Sequence, residues 1–356
     1  MKITEIRFQK ASFRFAQPMK VAFAVMEGYE TLLVKVETDE GLWGLGEAAP
    51  LGFVTGDSIG TALCVGQELR ELLLGCDPLA MGELHRRMDG RYNYNTSIKA
   101  AIDMACYDIA AKRMGVPLYR FLGGEESVLE SDVTIGIASP SEMAQKASEW
   151  VLQGFRILKI KLGEEIGTDL KRMQKIREAV GKDVTLRVDA NQGWTVKDAL
   201  WIIRELESLG VELVEQPLVA WDEEGMRELT QRTMLPIVAD ESCHSPMDAS
   251  RLVRNRAVDG INIKLMKCGG IYQAEKIHAI GEAAGIFCMI GCMGESPVAN
   301  TAAMHFAAAS PNVKKIDLDV VFFASRDERI HGGFTYEGGI CTLPQEPGLG
   351  IWVDGF

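Results

Sequence analysis

The sequence predicts an α/β protein in which a (β/α) barrel follows an α+β N-terminal capping domain. Three observations predict this fold: the chain length of 356 residues, a β-rich beginning, and eight short apolar strands that alternate with amphipathic helices from about residue 130. A chain of this length exceeds one ordinary domain and suits a barrel with a smaller partner domain.

The N-terminal region has the pattern of a mixed domain. Residues 30–50 alternate Val and Leu with polar residues on either side of a turn at 38–41, as expected for antiparallel strands. Residues 97–115 carry small and apolar side chains at helical spacing and end at Gly115. We therefore predict a capping domain over residues 1–125.

The barrel is predicted from the regular spacing of eight strand ends, which follow one another at steps of 27, 28, 26, 25, 24, 26 and 29 residues. These ends are Thr134, Lys161, Asp189, Glu215, Asp240, Lys264, Ile290 and Asp319. Each step is long enough for a strand, a helix and two connections, so the strands should be parallel with right-handed crossovers. Eight such strands close a modified TIM barrel, predicted over 126–320. The glycine-rich segment 321–356 is expected to pack back on the capping domain.

Composition excludes several classes of function. The formal net charge of −12 disfavours nucleic acid and anionic membranes as partners. No stretch of 18 apolar residues or secretory leader occurs, so neither a membrane span nor export is expected. The eight cysteines lack metal-finger spacing and are expected to be reduced thiols. A cytoplasmic enzyme for a small molecule, assembled as a homo-oligomer, is the expectation.

Carboxylates end three consecutive strands of the predicted barrel: Asp189, Glu215 and Asp240. The C-terminal strand ends form the active site of such barrels, so these side chains should converge. Converging carboxylates repel one another unless a cation neutralises them, and an all-oxygen ligand set suits Mg²⁺ or Mn²⁺. None of the five histidines ends a barrel strand, which disfavours zinc.

Lysines end two further strands on opposite sides of the barrel mouth. Lys159 and Lys161 share one face of the second strand, whereas Lys264 ends the sixth strand. Neighbouring ammonium groups and partial burial should lower a lysine pKa, which would make one of them a useful base. With a substrate carboxylate on the metal, one lysine could remove an α-proton and the other could return it to the opposite face of an enediolate. The sequence therefore predicts inversion at an α-carbon.

Five motifs carry a resemblance to a known superfamily: KIKLG (159–163), VDANQGW (188–194), VEQP (214–217), ADES (239–242) and NIKLMKCGG (262–270). They resemble the enolase superfamily, and within it the muconate-lactonizing enzyme subgroup, over nearly the whole chain. Such enzymes combine a Lys or His base with one or two Mg²⁺ ions.

The resemblance implies a role for each matching residue. The implied metal ligands are Asp189, Glu215 and Asp240. Lys161 and Lys264 would be the acid/base pair. By the same likeness Lys159 would tune Lys161, and Asn191 would support the metal ligands.

Within the subgroup, IDLDV (316–320) resembles the dipeptide epimerases of the L-Ala-D/L-Glu type. That resemblance implies that Asp317 and Asp319 hold the α-ammonium group of a dipeptide, a contact that suits two aspartates facing one way. It also implies that Cys292 and Gly294 lie near the dipeptide. Thr134, which ends the first barrel strand, is a further expected substrate contact.

The aligned specificity loop, PMKVAFAVM (18–26), departs from the family pattern. Members specific for Ala-Glu carry an arginine there, whereas this sequence has Ala24. We therefore expect a substrate of the type L-Ala-L-Xaa rather than L-Ala-L-Glu. Phe23, Phe53 and Val54 indicate an apolar pocket for the variable side chain.

The sequence is also compatible with two other functions. An N-acylamino acid racemase or o-succinylbenzoate synthase would use the same scaffold, but its substrate has no free ammonium for Asp317 and Asp319. A catalytically inactive barrel would have lost a ligand or a lysine, and the sequence keeps all of them. GLWGLG (41–46) lacks the dinucleotide-binding spacing and is expected to form turns.

Overall fold

A computed structural model describes all residues, 1–356, and begins with an antiparallel three-stranded sheet and four helices. The strands are β1 (Ile3–Val21), β2 (Ala24–Thr38) and β3 (Trp43–Ala48). The helices are α1 (Ile59–Leu73), α2 (Met81–Arg91), α3 (Thr96–Met114) and α4 (Leu118–Phe121). None of the helices of the chain combines the length and apolar character needed to cross a bilayer.

The segment GLWGLG was expected to form turns, and that expectation is wrong for most of it. Strand β3 begins at Trp43, and a Cβ atom on Gly44 or Gly46 would overlap the backbone carbonyls of Ala105 and Ala101 in helix α3. The two glycines therefore allow the sheet to lie directly against a helix that is buried along most of its length.

The barrel has the predicted eight parallel strands, which pair in sequence order. They are β5 (Val133–Ile135), β6 (Ile157–Lys161), β7 (Thr185–Asp189), β8 (Val211–Glu215), β9 (Ile237–Ala239), β10 (Gly260–Ile263), β11 (Phe287–Gly291) and β12 (Val313–Asp317), after a short β4 (Val128–Glu130). The backbone N–H of Asp132 donates to the carbonyl of Ile316 at 3.1 Å and links the two edges of the barrel sheet.

Eight helices alternate with or follow the barrel strands. They are α5 (Pro140–Leu152), α6 (Ile166–Val180), α7 (Val196–Ser208), α8 (Glu223–Arg232), α9 (Pro246–Asn255), α10 (Leu265–Cys268), α11 (Ile271–Ala284) and α12 (Pro297–Ala309). Most begin at a Ser, Thr, Asp or Glu whose side chain accepts a backbone N–H of the first turn, for example Ser139 from Glu142. The barrel wall is therefore built as the strand spacing predicts.

The C-terminal segment contains a 3₁₀ turn (Val320–Phe322) and β13 (Ile330–Gly332), β14 (Thr335–Glu337), β15 (Ile340–Thr342) and β16 (Ile351–Val353). Strand β15 pairs with β4, whereas the N–H of Leu118 donates to the carbonyl of Gly348 at 2.8 Å. The segment thus contacts both the barrel region and the N-terminal helices. We propose the division 1–125, 126–320 and 321–356 for the folded chain.

Two hydrophobic cores support two packing units. One cluster of 67 buried residues fills the barrel and its helices and extends to one side of the N-terminal sheet, to helix α3 and to the C-terminal segment. A second cluster of 18 lies between the N-terminal sheet and helices α1 to α3. The tip of the β1–β2 hairpin bridges the units, because the carbonyl of Lys20 accepts from the N–H of Ile137 at 2.8 Å and the Lys20 Nζ lies 2.6 Å from Glu164. The hairpin therefore covers the barrel mouth.

Candidate active site

The three predicted metal ligands converge at the C-terminal end of the barrel. Asp189 and Glu215 are the last residues of β7 and β8 and stand opposite each other in the strand register, and Asp240 directly follows β9. Carboxylate oxygens of the three residues lie within 4.8 Å of one another, and all three side chains are buried. Such a cluster of like charges is stable only with positive charge beside it.

Lysine ammonium groups supply that positive charge in this structure. Lys161 Nζ lies 2.6 Å from Asp189, and Lys264 Nζ lies 2.8 Å from Asp240. The ammonium group of Lys159 is central, at 2.6 Å from Asp317, 2.7 Å from Glu215 and 3.2 Å from Asp189. Strands β6 and β10 are four apart in a barrel of eight, so Lys161 and Lys264 flank the cluster from opposite sides.

The lowering of a lysine pKa expected from the Lys159–Lys161 pair is wrong for Lys159, and the pKa of Lys264 is raised as well. Burial alone lowers their pKa, but the carboxylates of Asp317 and Glu215 around Lys159, and of Asp240 beside Lys264, outweigh burial and raise it. Strand register alone does not reveal how close each ammonium group lies to a carboxylate. The tuning of Lys161 by Lys159 stays a prediction.

The donor set fits Mg²⁺. Three buried carboxylates offer only oxygen atoms, the ligands that Mg²⁺ prefers, and burial raises the pKa of Glu215 to about 7. Two neighbours hold the ligands in place: the backbone N–H of Asn191 donates to Asp189 at 2.9 Å, and Asn262 Nδ2 donates to Glu215 at 2.6 Å. Asn191 was predicted for this supporting role.

Two residues at the site were not predicted there. Asn262 lies on β10 and precedes Lys264, which directly follows the strand, by two positions, so strand alternation predicts that both face the same way. No functional role is predicted for Lys267 from the sequence, yet its buried Nζ lies 2.6 Å from Asp240. Lys267 lies in the short helix α10 and not at the end of a strand, so the pattern of polar strand ends does not indicate it.

A cavity opens above the carboxylates and receives most of the predicted site residues. Asp189 and Glu215 lie beneath it and are fully buried. The predicted residues that line it are Phe23, Phe53, Val54, Thr134, Lys159, Lys161, Asn191, Asp240, Lys264, Cys292, Gly294, Asp317 and Asp319. Ala24 is not among the lining residues, because the hairpin turn points its neighbour Phe23 toward the cavity instead.

Asp317 and Asp319 form an acidic wall of the cavity. Asp319 accepts the backbone N–H of Thr134 at 2.5 Å, and the Cys292 N–H donates to the carbonyl of Asp317 at 3.1 Å. Burial and the neighbouring Asp317 raise the pKa of Asp319 to about 6. Oxygens of a third buried carboxylate, Asp132, lie within 4.8 Å of this pair. A cation is therefore the favoured occupant of this wall.

The loop before helix α12 approaches strand β2 closely at Gly294. A Cβ atom on Gly294 would lie 2.6 Å from the Cβ of Tyr29, whose hydroxyl donates to the carbonyl of Glu295 at 3.0 Å. Only glycine allows this approach. Tyr29 was not predicted, since nothing local in β2 indicates its hydrogen-bond partner Glu295, 266 residues further along the chain.

Comparison with known proteins identifies the family. The model described as "Mandelate racemase / muconate lactonizing enzyme, N-terminal domain" matches residues 3–123, and the one described as "Enolase C-terminal domain-like" matches residues 142–355. The L-Ala-D/L-Glu epimerase of Clostridium acetobutylicum is 44% identical over 356 residues, which cover 99% of each chain. The N-succinyl-L-Arg/Lys racemase of Bacillus cereus is 35% identical, with 99% of this chain and 96% of the relative covered.

A solved structure of a dipeptide epimerase has the same fold as this chain. The dipeptide epimerase of Enterococcus faecalis V583, crystallised with Mg and the dipeptide L-Leu-L-Tyr, superimposes with a TM-score of 0.97 and 42% identity, and 99% of each chain is covered. The resemblance inferred from the five motifs is thus confirmed at the levels of sequence and fold. The chain belongs to the mandelate racemase/muconate lactonizing enzyme family of the enolase superfamily.

Proposed function

We propose that the protein is a Mg²⁺-dependent dipeptide epimerase, an isomerase that inverts the α-carbon of the C-terminal residue. One observation carries the proposal: two lysines, Lys161 and Lys264, flank a buried cluster of three carboxylates from opposite sides of the barrel. Two-sided proton transfer at one carbon requires this arrangement, because a single base reaches only one face.

Different residues of the site would bind the metal and transfer the proton. Asp189, Glu215 and Asp240 would hold the metal, and the lysines would exchange the α-proton, one on each face. Bound Mg²⁺ would stabilise negative charge on the substrate carboxylate and, by neutralising the acidic cluster, lower the pKa of the lysines beside it. The β1–β2 hairpin excludes water from the reacting carbon, since it lies across the barrel mouth.

The acidic wall of Asp317 and Asp319 favours a dipeptide over an N-acylated substrate. A free α-ammonium group matches two buried carboxylates that line the cavity. The substrate of an N-acylamino acid racemase or of an o-succinylbenzoate synthase has no such group. N-acylamino acid racemase activity remains the second candidate function, because the Bacillus cereus relative is an N-succinyl-L-Arg/Lys racemase.

The second residue of the substrate is proposed to be apolar. Phe23 and Phe53 lie edge to face at 4.9 Å over the cavity, and Leu51 and Val54 also line it. The three site lysines are the only cationic side chains in the lining, so a second carboxylate on the substrate would lack a partner. This supports a substrate other than L-Ala-L-Glu.

Deuterium exchange tests the function. With Mg²⁺ in D₂O, dipeptides with an apolar second residue should gain deuterium at that α-carbon and epimerise, as followed by NMR, and EDTA should stop both. Lys161→Ala and Lys264→Ala should each lower epimerisation by about 10²- to 10⁴-fold, because each removes the proton donor or acceptor on one face. Exchange with N-succinyl amino acids but with no dipeptide would contradict the proposal, as would full epimerisation by either variant.

We also propose a cytoplasmic homo-oligomer. All eight cysteines are free thiols, as expected in a reducing compartment. Trp221 and Met247 follow the adjacent strands β8 and β9 and are 83% and 79% exposed, which favours a protein contact at this edge of the barrel. Light scattering coupled to size exclusion measures the assembly state.

A further inference from the structure

The cavity has two separate apolar walls. The first, called here the hairpin wall, consists of Phe23 and Phe53 with Leu51 and Val54. The second, called here the β12 wall, consists of Phe15, Tyr29, Val320 and Phe323. All eight residues line the cavity.

The hairpin wall lies between the two catalytic lysines. The turn residue Ala22 lies against Gly163, where an added Cβ atom would be 3.0 Å from the Ala22 Cβ, and Gly163 follows Lys161 by two positions. On the other side, the N–H of Ala49 lies 3.3 Å from the sulfur of Met266, two residues after Lys264. This wall is therefore placed over the carbon whose configuration changes.

The β12 wall lies beside the acidic pair instead. Val320 directly follows Asp319 and begins the 3₁₀ turn, and the carbonyl of Phe323 at its end accepts from Ala16 at 3.2 Å. The Phe15 ring lies 5.5 Å from that of Phe323. Tyr29 extends the same wall from strand β2, with its ring 5.6 Å from Phe15.

Three elements thus bring aromatic or branched side chains together where the substrate's amino terminus would bind. Alanine, with one methyl group, would leave most of this wall in contact with water. Among the lining residues that strands β1 and β2 contribute, only Glu30 is charged, and its side chain is exposed and lies 3.5 Å from Ser12. Solvent screens a carboxylate in that position, so it favours a basic side chain only weakly.

Resting on the epimerase function proposed above, we propose that the β12 wall binds the side chain of the first residue, and that the enzyme acts on dipeptides with a large apolar N-terminal residue such as Leu or Phe. Both substrate side chains are then apolar, each with its own wall. A first-residue Leu buries three more carbon atoms than Ala, so kcat/KM for L-Leu-L-Ala should exceed that for L-Ala-L-Ala at least about tenfold.

Two matched variants test the assignment of the walls. Phe323→Ala and Phe23→Ala each remove one ring from one wall, and kcat/KM is measured for L-Leu-L-Ala and L-Ala-L-Leu with Mg²⁺. The ratio of the first substrate to the second should fall about tenfold in Phe323→Ala and rise about tenfold in Phe23→Ala. Phe15→Ala replaces Phe323→Ala if the latter fails to fold. Leu152→Ala, on the outer surface and 88% exposed, should leave the ratio unchanged.

The outcomes separate this inference from the function it rests on. If the wild-type enzyme epimerises dipeptides but prefers L-Ala-L-Ala to L-Leu-L-Ala, or if both variants shift the ratio in the same direction, the wall assignment is overturned and the function stands. A preference for L-Lys-L-Ala over L-Leu-L-Ala would mean that Glu30 binds the side chain of the first residue, and it would also overturn the wall assignment. Absence of exchange with every dipeptide would refute the function itself.

Discussion

Lys159 is buried at the centre of the site and contacts two members of the carboxylate cluster, Asp189 and Glu215, together with Asp317. One ammonium group therefore links the part of the site that would hold the substrate carboxylate to the part that would hold its ammonium. Removing this lysine would leave several buried carboxylates without their shared counter-charge, which is costly in a water-poor interior. In the structure Lys159 therefore has an electrostatic role.

Asp319 provides a residue-level test of ammonium recognition. Asp319→Asn keeps an oxygen that can accept the N–H of Thr134 but removes the charge facing the cavity. A hydrogen bond to a charged group contributes about 1.5–3 kcal/mol, so KM for a dipeptide should rise roughly 10- to 100-fold. Steady-state kinetics with the dipeptide and its N-acetyl analogue measure the effect.

The analogue is the control for that experiment. N-acetylation removes the ammonium, so the variant should affect its KM much less. Equal effects on both compounds would mean that Asp319 does not bind the ammonium group. The melting temperature of the variant checks that the fold is intact.

At the scale of elements, buried carboxylates of the N-terminal unit cap helices of the barrel. Glu47 on β3 accepts from the N–H of Ser296 at 2.7 Å and from that of Ala299 at 3.0 Å, at the start of α12. Asp103 on α3 likewise accepts from the N–H of Ile271 at 2.5 Å, at the start of α11. Negative charge at a helix N-terminus is favourable, so these contacts hold the cap on the barrel.

Glu47→Gln should destabilise the protein through this contact. The Glu47 carboxylate offers two acceptor oxygens to these donors, whereas a glutamine side chain offers only one. The amide NH₂ of the glutamine would in addition face backbone N–H groups. The loss should be about 1–3 kcal/mol in the free energy of unfolding, measured by urea titration. Glu165→Gln is the matched control, because Glu165 caps α6 in the same way but at the exposed surface. An equal loss in both variants would argue against a special role for the buried cap.

At the scale of the whole molecule, Glu295 links stability to pH at the junction of cap and barrel. Burial raises its pKa to about 8; the N–H of Met293 opposes the shift, and the charge of Glu47 adds to it. Among more distant charges Lys264 lowers the pKa and Asp317 raises it. A carboxyl group with a raised pKa binds its proton more tightly in the folded state than in the unfolded chain.

The sign of the pH dependence follows from that difference. The contribution of Glu295 to stability is complete below the ordinary pKa of 4.5 and is lost as the pH rises toward 8. The Gln side chain of Glu295→Gln does not titrate, so this variant lacks the pH-dependent loss. Between pH 5 and pH 9 the unfolding free energy of the wild type should therefore fall by a few kcal/mol relative to that of the variant, at about 1.4 kcal/mol per pKa unit. Melting temperatures across this range test it, with the exposed Glu337→Gln as control. Parallel curves for Glu295→Gln and the wild type would contradict the prediction.

The amino-acid sequence by itself determined the barrel and the charged residues at its strand ends. The reason is local: strand and helix lengths set a repeat of 24–29 residues, and a polar residue that ends an apolar strand must lie at the barrel mouth. Asp189, Glu215, Asp240, Lys161 and Lys264 were predictable for that reason. So was Asn191, through its motif.

The tertiary structure alone decided which groups meet across long stretches of chain. It placed Lys159 between Asp317 and the carboxylate cluster, turned Phe23 rather than Ala24 toward the cavity, and joined Phe15, Tyr29 and Phe323 into one wall. These contacts depend on how the N-terminal unit docks on the barrel. No periodicity within a strand or helix records that docking, because its free energy comes from surfaces that are distant in sequence.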